Sequence, residues 1–133
     1  MKKVLVFGSF DLLHEGHRYL FKEAKKLANK LFVVVARDST IIKVKGKQPK
    51  FEEKERLKHV QDIKEVYRAV LGNLGDKYKI IEDIKPDIIA LGYDQKFFAD
   101  NLKEELKKRK LKIEVVRLKP FKPEKYKSSL LKL

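Results

Sequence analysis

The segment Gly8-Ser9-Phe10-Asp11-Leu12-Leu13-His14-Glu15-Gly16-His17 is the densest concentration of chemically useful residues in the chain. Two of the three histidines, His14 and His17, stand three residues apart with Gly16 between them. Two imidazoles beside an anion site could hydrogen-bond phosphate oxygens and stabilise charge that develops in a phosphoryl or nucleotidyl transfer. Gly16 permits close backbone approach and an unusual turn. Two blander readings compete: a surface histidine pair, and a metal site completed by Asp11 or Glu15. The glycines already explain the pattern as a phosphate cradle, so no metal ligand is assigned. The zinc-protease spacing, two histidines four apart on one helix, is absent.

These residues need elements to position them. Val4 to Phe7 is a short apolar run closed by Gly8, as expected of a strand buried on both faces. From Gly16 the period becomes helical, with Leu20, Phe21, Ala24, Leu27 and Ala28 on one side. His17 thereby falls at a helix start, where free backbone N–H groups and the dipole favour a phosphate. Leu31 to Ala36 reads as a second strand and Lys43 to Lys50 as a mobile basic loop, broken by Gly46 and Pro49. Glu52 to Val60 reads as a charged helix and Glu65 to Leu71 as a third strand. Asp76 caps a short helix running to Ile84, and Asp87 to Gly92 is a fourth strand. A helix over Phe97 to Arg109, a fifth strand over Leu111 to Leu118 and a last helical turn over Tyr126 to Leu131 complete the chain. Such alternation predicts an α/β fold: a Rossmann-like, doubly wound, parallel five-stranded sheet, with residues 1–133 as one domain. Ligands of such sheets bind at the C-terminal strand edge, where strand order reverses.

Composition narrows the class. The chain has 133 residues, no Cys and no Trp, so disulfide scaffolds and cysteine-ligated metals are excluded. At 43% hydrophobic content it is a folded domain and no disordered basic tail. Nothing approaches the ~20 apolar residues that span a bilayer, and the apolar run after Lys3 is too short for a signal core. A cytoplasmic protein without membrane contact is expected. Lysine and arginine number 33 against 19 acidic residues, a formal charge of +14 that suits a polyanion, a polyphosphate substrate or a heat-adapted surface.

The segment Ser9 to His17 resembles the HxGH signature of the nucleotidylyltransferase superfamily, which includes cytidylyltransferases and several adenylyltransferases. There it joins the first strand to the first helix and contacts the nucleoside triphosphate. Asp87-Ile88-Ile89-Ala90-Leu91-Gly92-Tyr93-Asp94 resembles the later strand whose terminal glycine and acid lie beside the nucleotide, implicating Gly92 and Asp94. Tyr126-Lys127-Ser128-Ser129 resembles the closing hydroxyl motif that grips the phosphates, implicating Tyr126, Ser128 and Ser129. Taken together, the resemblance implies a nucleotide site that also includes Gly8, Ser9, Phe10, His14, Gly16 and His17. Lys43, Lys45 and Lys47 lie where relatives carry a catalytic lysine, so His14 and His17 with Lys43 or Lys45 are the implied catalytic groups. Arg56 resembles a recurrent arginine, although a solvated helix charge reads equally well. Relatives often carry an arginine before the closing hydroxyls. Here Lys122, Lys125 or Lys127 takes that place, without a guanidinium's bidentate grip.

Val35-Ala36-Arg37-Asp38, Leu71-Gly72-Asn73-Leu74-Gly75-Asp76-Lys77, Leu91-Gly92-Tyr93-Asp94-Gln95 and Lys127-Ser128-Ser129 are similar to archaeal FAD synthases, a branch of FMN adenylyltransferases. That likeness implies transfer of AMP from ATP to FMN, with Mg²⁺ carried mainly by triphosphate oxygens and water. Glycerol-3-phosphate cytidylyltransferases, which use CTP, share the length and opening motif and are the nearest rival. A basic nucleic-acid-binding module is the alternative of another class. Its lysines are scattered among glutamates, so no nucleic acid is expected as partner. A homodimer is compatible with the sequence.

Overall fold

The computed structural model describes residues 2–76, 78–92 and 96–118. Its five strands are β1 (Lys3–Gly8), β2 (Lys30–Val35), β3 (Arg68–Leu71), β4 (Ile88–Leu91) and β5 (Glu114–Arg117), and they form one sheet in the order β3-β2-β1-β4-β5. Each pairing is parallel, with Val4 of β1 opposite Leu31 on one side and Ile88 on the other. Between the strands lie α1 (Glu15–Lys25), α2 (Asp38–Lys45), α3 (Glu53–Gln61), α4 (Lys79–Ile84) and α5 (Lys96–Lys108). The chain steps from β1 outward to β2 and β3, returns past β1 to β4, and then steps the other way to β5. Right-handed crossovers in opposite directions put the early and late helices on opposite faces.

Side-chain alternation along the strands divides the core accordingly. Val4, Val6, Val33, Val35, Ile88 and Ala90 pack with Phe21 and Ala24 of α1 and Val60 of α3. Leu5, Val34, Ile89 and Leu91 face the other way, against Ile81 of α4 and Leu102 and Leu106 of α5. The central strands are therefore apolar on both faces, as the continuous runs in the sequence require. Arg109, just past α5, reaches the carboxylates of Asp76, Glu82 and Glu105 and clamps α4 to α5. Strand order reverses between β1 and β4, which places the ends of these two strands, Gly8 and Leu91, at the mouth of the crevice.

The main departure from expectation is α2. The segment predicted as a loop from Lys43 is helical through Lys45, so Lys43 and Lys45 stand on a helix. Gly46, in the left-handed conformation (φ 75), stops that helix. Only Ile41 of α2 is buried, so its amphipathic signal in the sequence is faint. Expected strands also shorten: β3 begins at Arg68 and β5 at Glu114. Among the described residues no helix is long and apolar enough to cross a membrane.

Ile89 is fully buried in β4 and faces the second layer. Ile89→Ala should lower unfolding free energy by about 2–5 kcal/mol, since a cavity there cannot collapse against a flat sheet. A urea titration checks this, with the midpoint falling and the slope unchanged.

Candidate functional site

The turn from β1 into α1 is built by its own histidines. His14 caps α1: its Nδ1 accepts the Gly16 N–H at 3.0 Å, and the His17 Nδ1 accepts the His14 N–H at 3.3 Å. This reciprocal pair is a capping box in which imidazoles replace the usual hydroxyl and carboxylate. The rings stack with centroids 4.0 Å apart. Because each Nδ1 accepts from a backbone N–H, each neutral ring carries its proton on Nε2. Gly16 is required for space. A Cβ there would lie 2.7 Å from the His14 Cε1, so any larger residue would push the ring away. The unusual turn expected at Gly16 is not observed, since its φ is not positive.

Burial lowers the pKa of His14, and that of His17 falls to about 4. Desolvation is the leading cause at His17, followed by the neighbouring His14. The Leu12 carbonyl opposes the shift, and the Lys45 charge adds to it. The charge of Lys45, in the last turn of α2, is thus felt at His17. Lys43 lies two residues earlier, about 200° around the helix, on a different face. Both lysines are exposed.

Phe10 is buried, so a ligand at this turn would meet its backbone and not its ring. The Asp11 carboxylate accepts from the N–H groups of Lys50 (2.7 Å) and Phe51 (2.9 Å). Both its oxygens are occupied, and it serves as a strut where a zinc reading would need a ligand. Gly92 follows β4, and its carbonyl accepts from Arg117 Nη1 at 2.9 Å. Asp94, Tyr126, Ser128 and Ser129, with Lys122, Lys125 and Lys127, lie outside the described residues.

Arg56, which reads from the sequence as either a recurrent family arginine or a solvated charge, is fully buried. Its Nη1 donates to the Ser9 carbonyl at 2.8 Å, its Nε to the Phe51 carbonyl at 2.9 Å and its Nη2 to Asp38 Oδ1 at 2.7 Å. Asp38 and Glu53, the first residues of α2 and α3, each accept the other's backbone N–H (3.1 and 2.9 Å). Each therefore satisfies a donor at the start of the other's helix. Arg37 extends the chain of contacts, donating to Glu53 Oε2 at 2.9 Å and to the Gly72 carbonyl at 2.7 Å. One polar network thus joins the ends of β1, β2 and β3. An acid opening each of two helices, with arginines nearby, is the only sequence trace of it.

This arrangement sets two neutral imidazoles at a helix N-terminus beside the switch point, with the charge of Lys45 felt at His17. It is suited to binding phosphate oxygens and not to general-base chemistry. The cytidylyltransferase-like family model matches residues 5–132. A FAD synthase of Aciduliprofundum boonei is 50% identical over 121 residues, covering 91% of this chain and 80% of its own. The FAD synthase of Thermoplasma volcanium is 46% identical over 121 residues, covering 91% and 84%. A solved structure described as the lipopolysaccharide core biosynthesis protein from Thermoplasma volcanium GSS1 superposes with a TM-score of 0.85. It is 45% identical, and the match covers 91% of this chain and 98% of that one. The pantoate-beta-alanine ligase of Francisella tularensis, at 13% identity and a TM-score of 0.58 over 88% and 58% of the two chains, shares the fold alone.

The His17 midpoint near 4 lies below the 6.5 of a free imidazole, so the unfolded chain takes up this proton first. Neutral His17 therefore contributes stability that is fully present above pH 6.5 and is lost as pH falls through 4. Unfolding free energies measured across that window should fall in the parent. They should fall less in His17→Asn, which keeps an acceptor for the His14 N–H but does not titrate.

Proposed function

Because the chain belongs to the cytidylyltransferase-like family, we propose that it transfers AMP from ATP to FMN, yielding FAD and pyrophosphate. The observation that carries this reading is the pair of neutral, backbone-anchored imidazoles at the α1 N-terminus, in a chain half identical to a FAD synthase. The family match over residues 5–132 supports reading the chain as one nucleotidyltransferase domain.

A phosphate oxygen of FMN attacks the α-phosphorus of ATP, and the bond to the bridging oxygen breaks. Pyrophosphate leaves with the electron pair. The FMN phosphate is already ionised near neutral pH, so no base is needed, and the protein contributes position and charge neutralisation. His14 and His17 donate from Nε2 to oxygens of the triphosphate. His17 acts as a neutral donor across the physiological range, since it does not protonate until about pH 4, and the His14 pKa is likewise lowered. Lys45 supplies the positive charge that these rings lack. Ser9, Phe10 and Gly16 shape the floor through backbone and space, and Gly8 ends the strand beneath them. Gly92, Asp94, Tyr126, Ser128 and Ser129 are assigned to the nucleotide through the family resemblance. Among the described residues no three-ligand cluster is present for a metal. Mg²⁺ is assigned to the triphosphate itself, because this cation prefers phosphate oxygens and water, and there it would offset charge on the departing pyrophosphate.

The deciding assay incubates the protein with Mg²⁺, ATP or CTP, and FMN or glycerol 3-phosphate, and reads product mass and pyrophosphate. FAD from ATP plus FMN is expected. CDP-glycerol would establish the rival activity. His17→Ala should lower turnover by about 10²–10³-fold, the usual effect of losing one transition-state donor. Lys45→Ala should lower kcat far more than Lys43→Ala. Equal effects of the two lysine substitutions would contradict the role given to Lys45.

A further inference from the structure

The turn ahead of α1 holds a bulky residue in a conformation that bulky residues avoid. Phe10 has φ 51. The other described non-glycine residues with positive φ are Lys85 and Lys110. Lys85 directly follows α4 and Lys110 lies two residues past the end of α5, where a left-handed residue is an ordinary helix stop. Phe10 ends no helix. Its backbone turns the ring back beneath the loop, against the end of β1, where a Cβ on Gly8 would lie 2.5 Å from the Phe10 Cζ. From this seat the ring meets the His17 imidazole, with centroids 5.3 Å apart and planes 77° apart, and Phe21 of α1 on another side at 5.2 Å.

A residue that only fills the core needs neither a left-handed backbone nor a glycine beneath it, because an aliphatic side chain on a relaxed turn would fill the same space. Strained backbone of this kind persists where the surrounding structure holds it for a purpose. We propose that Phe10 is a positioning residue for His17. Its flat ring, seated on Gly8, sets the plane in which the imidazole presents Nε2–H to a phosphate oxygen. This inference rests on the assignment of His17 to the phosphates. It also gives Gly8 a role other than ligand contact: Gly8 leaves room for the ring. The same ring shields one side of His17 from water, consistent with burial as the leading cause of its low pKa.

Phe10→Leu keeps apolar volume but loses the flat edge, and Gly8→Ala keeps the ring but unseats it. Each should lower kcat by about ten- to hundredfold, the scale expected for displacing a reacting-centre contact by an ångström, with KM for ATP changed less than about threefold. Each should also raise the His17 midpoint, followed by NMR of the ring protons, from about 4 toward 6.5. The double variant should be no worse than Phe10→Leu alone, because leucine no longer reaches the Gly8 position. A lower thermal midpoint with kcat and the His17 titration both unchanged would show Phe10 to be core packing only and overturn the proposal. Should either variant fail to fold, Phe10→Met is read by the same two measurements. If the parent transfers no nucleotide, the proposed function fails, and the His17 titration in Phe10→Leu still decides whether Phe10 positions the ring.

Discussion

One buried guanidinium holds together the edge of the sheet at which this protein would bind its substrates. Arg56 is fully buried and spends its donors on a carboxylate and on two carbonyls, one of them Ser9 in the loop after β1. A charge in that position is tolerated only because several partners meet it at once. Removing those partners would strand the charge, and removing the arginine would take a donor from the Ser9 and Phe51 carbonyls and from Asp38 Oδ1 at once. Lysine could not replace it, because an ammonium lacks the planar fork that reaches three acceptors in different directions. Through Asp38, Glu53 and Arg37 the same network fixes the starts of α2 and α3 and the Gly72 carbonyl after β3. The apolar core could be packed in many ways, but this arrangement of loops has few alternatives.

The histidines depend on that rigidity. A capping box made from two imidazoles leaves little freedom, since each ring must keep its Nδ1 on a particular backbone N–H. Desolvation lowers both pKa values and His14 lowers that of His17 further, which suits donors that must not change charge as substrate arrives. The positive charge of Lys45 on α2 adds to the lowering of the His17 pKa. Many of the described lysines, among them Lys22, Lys25, Lys54 and Lys58, are exposed, in keeping with a solvated surface.

How much of this was legible in the sequence depended on the range of each interaction. The strand–helix alternation and the β1–α1 loop are local patterns, and the five-stranded parallel sheet followed from them. So did the placement of His14 and His17 at a helix start. The helix α2 was missed because one buried residue, Ile41, is too little periodicity to register. Arg56 stayed ambiguous because its partners are distant in the chain: Asp38 is 18 residues away and Ser9 is 47. Gly16 stands out in the sequence for backbone freedom, whereas in the structure it provides room for the His14 ring. Space left for a neighbour cannot be read before the neighbour is placed.

Amide hydrogen exchange on Arg56→Met measures most directly whether one network organises the site. The account predicts that protection is lost together at Asp38, Glu53, Lys50 and Phe51, with the β1–α1 turn loosening alongside, while β4 and α5 keep theirs. Nucleotidyl transfer should fall with that loosening, and Arg56→Lys should recover little of it. Faster exchange confined to the first turn of α3, with the other loops unchanged and activity retained, would contradict the account.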